Sequence, residues 1–179
     1  EVLAQRTRLL RARDALGGLD ELIAAIARAL DAKPGVSPHR LVERACADGE
    51  YDAEGLRLLA DTFRRGGKRQ LDAAEKIAVW LAAAPEDRVR LFERYHSAFL
   101  TQKNEPRADI VTDKFRRERP AETATYAREQ TRLVRLDDAL KAAKLAERTE
   151  ALVRVGLAVI EAYQDKKARE AALDYDDLI

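Results

Sequence analysis

The chain has 179 residues, 36% of them charged and 46% hydrophobic, and its 33 Lys+Arg against 32 Asp+Glu leave a formal charge of +1. That length is enough to bury a core. The even charge excludes a generally basic nucleic-acid coat and an acidic disordered tail, so a charged partner has to be met by a local patch. A single cysteine excludes an internal disulfide, and no apolar run nears the roughly 18 residues that span a bilayer. The expectation is a soluble, cytoplasmic chain with no membrane partner. Because it opens on Glu1 and holds no methionine, it is expected to be a segment of a longer protein.

Ala, Leu, Arg and Glu dominate, all strong helix formers, and no stretch alternates apolar and polar residues over a strand length. The fold class is therefore all-α. A first helix is expected over Val2 to Leu16, stopped by Gly17-Gly18. A second runs from Leu19 to Ala32 with Leu19, Leu22, Ile23, Ile26 and Leu30 on one face, and Lys33-Pro34-Gly35 breaks it. Ser37-Pro38 caps a short helix to Cys46, and Asp52 caps another that runs to Arg65 and ends at Gly66-Gly67. Leu71 to Ala84 and Pro85 to about Leu100 complete the first part.

From Thr101 to Pro120 the periodicity fails. A long connection is expected there, with one helical turn near Val111 to Phe115. From Ala121 to Ala168 there is no proline and only one glycine, Gly156. Apolar side chains recur at Tyr126, Leu133, Leu136, Leu140, Leu145, Leu152, Val155, Val159 and Tyr163. Read as one helix, this segment is roughly 70 Å long, more than a globule of this size can cover. The whole is an irregular helical bundle closed by one very long helix. It reads as a single body in three parts: 1–65, 66–120 and 121–179.

Several short patterns resemble sites and fail on their neighbours. Gly66-Gly67-Lys68-Arg69 lacks the earlier glycine and the following Ser/Thr of a phosphate-binding loop and reads as a helix end. Glu93 and His96 have the Glu-x-x-His spacing of di-iron bundles, but no second pair accompanies them, so no metal is expected. Cys46 lies on an apolar helix face and reads as a core thiol. No catalytic residue is assigned.

The basic clusters carry more. Arg64, Arg65, Lys68 and Arg69 place four positive charges within six residues. The connection adds Lys103, Arg107, Lys114, Arg116, Arg117 and Arg119, against Glu105, Asp109, Asp113 and Glu118. Taken alone such clusters read as a solvated, salt-bridged surface. Arginines on a connection also suit phosphate, because the guanidinium fork donates two bonds to adjacent oxygens. Arg64, Arg65, Lys68, Arg69, Lys103, Arg107, Lys114, Arg116 and Arg117 are the candidate DNA contacts.

The C-terminal Leu173-Asp174-Tyr175-Asp176-Asp177-Leu178-Ile179 resembles the Asp-aromatic-x-Asp-Leu element that closes the helical insertion in the first motor lobe of UvrD/Rep-like superfamily 1 DNA helicases. Within that group the chain is similar to AddA, the helicase–nuclease subunit of bacterial double-strand-break repair. Phe99-Leu100-Thr101-Gln102-Lys103-Asn104-Glu105-Pro106-Arg107 is similar to that family's FLT-x-x-G-E-P-R stretch, followed by Val111-Thr112-x-Lys114. Trp80-Leu81 with Pro85 and Arg88, and the helix from Leu3 to Leu16, also fit. Two positions depart from the pattern: Asn104 stands where glycine is usual, and Asp113 interrupts a stretch that is usually more basic.

The resemblance implies an insertion subdomain without chemistry of its own, taken from an ATP-dependent DNA helicase and exonuclease. It implies ATP and Mg in that parent and no cofactor in these residues. The implied partners are duplex or forked DNA and the partner nuclease subunit. The alternative is a helical protein–protein interaction module not tied to DNA.

Overall fold

The structure, a computed structural model, describes residues 6–170. Among them are eight helices: α1 (Arg6–Leu16), α2 (Leu19–Ala29), α3 (Pro38–Ala45), α4 (Ala53–Phe63), α5 (Lys68–Ala82), α6 (Pro85–His96), α7 (Asp113–Glu118) and α8 (Pro120–Glu170). No strand accompanies them; one isolated antiparallel bridge joins Leu100 to Pro106. The all-α reading holds, and the long helix is continuous over 51 residues. The Asp174, Tyr175, Asp176, Asp177 and Leu178 element lies outside the described residues.

The helix starts are set by local chemistry. The Ser37 hydroxyl accepts from the Arg40 N–H and Pro38 occupies the first turn of α3. Asp52 accepts from the Gly55 N–H at 2.8 Å, and Thr112 accepts from the Phe115 N–H at 3.2 Å. Between α1 and α2 the chain turns through Gly17 and Gly18 at φ of 90° and 137°, a region that side-chain-bearing residues rarely enter.

Among α2 to α6, three boundaries differ from the sequence reading by three residues or more. Helix α5 begins at Lys68 rather than Leu71, because Gly67 serves as its N-cap and the Gln70 carboxamide accepts from the Gly67 N–H. Helix α2 stops at Ala29, followed by Asp31 at φ 56°. Helix α6 ends at His96, and tight turns at Ala98 and Phe99 lead into the Leu100–Pro106 bridge. The connection beyond it also holds more order than expected, since α7 forms a full short helix.

Packing divides the described residues into two compact units, 6–36 with 142–170, and 37–141. The second holds a core of Leu56, Leu59, Phe63, Ile77, Trp80, Tyr95, Phe99 and Leu133, all 0% exposed. Seven of the chain's ten aromatic rings form one contact series within it. Tyr51 meets Trp80, whose indole stacks on Tyr95 at 3.9 Å and 17°. Tyr95 then meets Phe99, Phe99 meets Tyr126, and Tyr126 meets Phe63, which meets Phe115. Offset and edge contacts of this kind add about 0.5–1.5 kcal/mol each beyond area burial.

Polar groups enter this core with partners. The Tyr95 hydroxyl donates to Glu129 Oε1 at 2.6 Å, and Arg132 grips both Glu129 oxygens at 2.6 and 2.9 Å. Arg132 also donates to the Ala45 carbonyl, and Trp80 Nε1 donates to the Arg88 carbonyl. Burial pushes the Tyr95 hydroxyl far above its ordinary pKa, with the facing Glu129 charge adding to the effect. It therefore remains a donor.

The other unit buries Leu22, Ala27 and Ala32 together with Ala143, Leu157 and Ile160 of α8. Arg13 reaches Glu161 and Arg154 reaches Asp20 at its edges. The apolar residues read from α8 thus divide. Tyr126, Leu133 and Leu140 are buried, whereas Leu145, Leu152, Val155 and Val159 are 48–67% exposed. Leu157 and Ile160 supply the buried face where those four do not.

Two outcomes test this packing. Arg132→Ala leaves Glu129 buried at 5% exposure without its cation, and is expected to cost about 3–5 kcal/mol in urea unfolding. Leu152→Ala, at 67% exposure, is expected to change stability by about 0.5 kcal/mol or less. Cys46 is fully buried and burial raises its thiol pKa. A thiol reagent is therefore expected to modify it only after denaturation.

Candidate nucleic-acid interface

The C-terminal end of α4, the start of α5, the connection after α6 and α7 come together on one side of the second unit. Three contacts hold them. The Phe63 ring at the end of α4 meets Phe115 of α7 at 5.4 Å. Gln70 of α5 donates from Nε2 to the Ile110 carbonyl at 2.9 Å, 40 residues along the chain. Asp109 receives Arg69 at 3.4 Å and takes the Arg107 fork at 3.0 and 3.1 Å.

The connection is ordered by its own backbone. Thr101 N–H donates to the Glu105 carbonyl at 2.8 Å, and Asn104 N–H to the Thr101 carbonyl at 2.9 Å. The Thr101 hydroxyl accepts from the Lys103 and Glu105 N–H groups. Asn104 sits at φ 61°, the left-handed region that asparagine tolerates better than other side chains. From α8, the Gln130 carboxamide donates to the carbonyls of Phe99 and Arg107 at 2.9 and 3.0 Å. Turn and helix are thereby fastened together.

The predicted cations take different positions. Arg64 pairs with Asp61, Lys114 with Glu118 at 3.9 Å, and Arg116 with Asp113 at 2.9 Å. Arg107 also donates to the Ser97 carbonyl. Arg65, Lys68, Lys103 and Arg117 are exposed and form no salt bridge among the described residues. Across 64–69 and 101–120 there are ten cations against four acids, so the surface is locally basic within a nearly neutral chain. The bond from the Arg107 guanidinium holds the Asp109 carboxyl below the ordinary carboxylate range, against an opposing contribution from burial. The same bond raises the pKa of Arg107.

The arrangement, an excess of guanidinium and ammonium groups on one surface, is suited to binding anions. Asp109 itself had no signal in the sequence beyond its charge, nor did Gln70 and Gln130, whose partners are backbone carbonyls. The Glu93-x-x-His96 spacing resolves into separate roles. Glu93 is exposed, while His96 is buried and its Nε2 lies 2.8 Å from Asp137. Among the described residues no group of three or more His, Cys, Asp or Glu is placed to hold a metal ion. No helix among them is long and apolar enough to cross a membrane.

No protein-family model, no curated protein and no solved structure matches the chain.

The role of Asp109 has a defined pH dependence. Its folded pKa is depressed, so its hold on Arg107 is fully present above the unfolded value of about 3.9 and is lost as pH falls through the lower folded value. Amide exchange at the Arg107 N–H, which bonds the Phe99 carbonyl, is expected to remain protected at about pH 4.5, above that window. Asp109→Asn is expected to lessen that protection at neutral pH.

Proposed function

We propose that the chain is the helical insertion of the first motor lobe of an AddA-like helicase–nuclease, and that its basic surface supports incoming duplex or forked DNA. The observation that carries this reading is the meeting of the two cationic clusters. They are separate in sequence, yet the Asp109 junction and the Gln70–Ile110 bond place them on one surface. One acid shared by two guanidiniums leaves donor capacity unspent, and exposed salt bridges hold their cations weakly.

Asn104 adds support. The family's glycine position is a left-handed one in this chain, at φ 61°, and both glycine and asparagine accept that conformation. The departure from the family pattern therefore keeps the same backbone. ATP, Mg and the nuclease carboxylates would belong to the rest of the parent protein, and these residues would carry no chemistry. In that setting the partner nuclease subunit is a second claimant for the same surface.

The alternative, a helical interaction module not tied to DNA, is favoured by a different observation. Leu145, Leu152, Val155 and Val159 stand exposed along α8; a stripe of exposed apolar side chains suits a protein interface.

Titration of fluorescent forked DNA separates the two. Binding at low salt is expected to weaken steeply as salt rises, because phosphate contacts release counterions. Reversing the four unpaired cations together (Arg65→Glu, Lys68→Glu, Lys103→Glu, Arg117→Glu) leaves every observed salt bridge in place. It is expected to weaken binding at least about tenfold and to flatten the log–log salt slope by about three to four. No binding at low salt, or an unchanged affinity in the quadruple variant, overturns the DNA reading.

A further inference from the structure

Lys144, Arg148 and Asp165 stand with the exposed apolar residues of α8, and their spacing specifies a partner. Leu145, Arg148, Leu152, Val155, Val159 and Ala162 are all exposed. They step along the helix by three and four residues in turn, the heptad period of a coiled-coil seam with Leu145, Leu152 and Val159 at one core position and Arg148, Val155 and Ala162 at the other. One flank is small, with Ala151 and Ala158 exposed beside the seam. The opposite face of the same helix is already used, since Ala143, Leu157 and Ile160 are buried. The seam runs for about 25 Å.

We propose that two copies of the chain pair through this seam, α8 against α8, in antiparallel orientation. Charge selects the partner and its direction. A two-fold axis between Leu152 and Val155 sets Leu152 of each copy against Val155 of the other, Leu145 against Ala162 and Arg148 against Val159. The arginine stem then lies on valine while its head reaches solvent. In the same register Lys144 of each copy faces Asp165 of the other, on the flank where Ala151 meets Ala158. Lys144 and Asp165 are exposed and form no salt bridge among the described residues. A parallel pair would place Arg148 against Arg148 in one core layer and leave Lys144 and Asp165 unmatched. The antiparallel pair therefore turns one unfavourable contact into a packed one and adds two ion pairs. None of these residues belongs to the basic surface described above, so the proposal is independent of the DNA reading.

Sedimentation equilibrium over a range of concentrations tests it. The mass is expected to rise from 20.1 kDa toward the dimer value. Leu152→Glu, at a position 67% exposed, is expected to abolish the rise while the far-ultraviolet circular dichroism is unchanged. Lys144→Asp and Asp165→Lys are each expected to weaken association about tenfold through two symmetry-related contacts. The double charge swap is expected to restore it, and an equimolar mixture of the two single variants is expected to associate better than either alone. A constant mass of 20.1 kDa, association indifferent to Leu152→Glu, or a double swap that fails to restore it, overturns the proposal.

Discussion

The stack of Trp80 on Tyr95, with the Tyr95 hydroxyl bonded to Glu129, is the constraint on which the second unit depends. Its geometry ties three elements at once: α5 supplies the indole, α6 the phenol and α8 the carboxylate. A buried carboxylate is costly unless it is paired and hydrogen-bonded. Here the pairing is complete, because Arg132 closes on both oxygens from one turn along the same helix. Arg132 in turn reaches the end of α3 through the Ala45 carbonyl. The rotation of α8 is thereby set about its own axis.

That rotation governs what happens elsewhere on the unit. With Glu129 facing Tyr95, Tyr126 one turn earlier faces the Ala98 carbonyl and the Phe63 and Phe99 rings. Gln130 is carried to the two carbonyls of the connection. The ring series continues from Tyr126 through Phe63 to Phe115, which seats α7. Cations that would repel one another on a free loop are held on a shared surface because ring packing, the Gln70–Ile110 bond and the Asp109 junction together place their backbone. Asp109 relieves part of the repulsion, and the remaining excess is available to an anionic partner.

The far part of α8 shows the opposite economy of side chains. A straight helix with heptad-like spacing drifts relative to its own apolar stripe, and a step of five separates Leu140 from Leu145. The stripe that packs through Tyr126, Leu133 and Leu140 is replaced by Leu157 and Ile160 as the buried face, leaving Leu145, Leu152, Val155 and Val159 in solvent. The helix thus carries a buried apolar face and an exposed one.

The sequence by itself determined the helices. Propensity, the caps at Ser37 and Asp52, and the breaks at Gly17-Gly18, Pro34-Gly35 and Gly66-Gly67 act over one turn and are visible in local spacing. The continuity of α8 was legible for the same reason, as was the burial of Cys46 on an apolar face. The cationic residues were legible as separate clusters. Tertiary structure alone decided that they meet, since Asp109, Gln70 and Gln130 act on groups tens of residues away and two of the three bind backbone carbonyls, which every residue possesses. It alone gave His96 to Asp137 rather than to Glu93. It alone decided which leucines of α8 are buried, because periodicity defines a face but only a neighbouring element decides whether that face is covered.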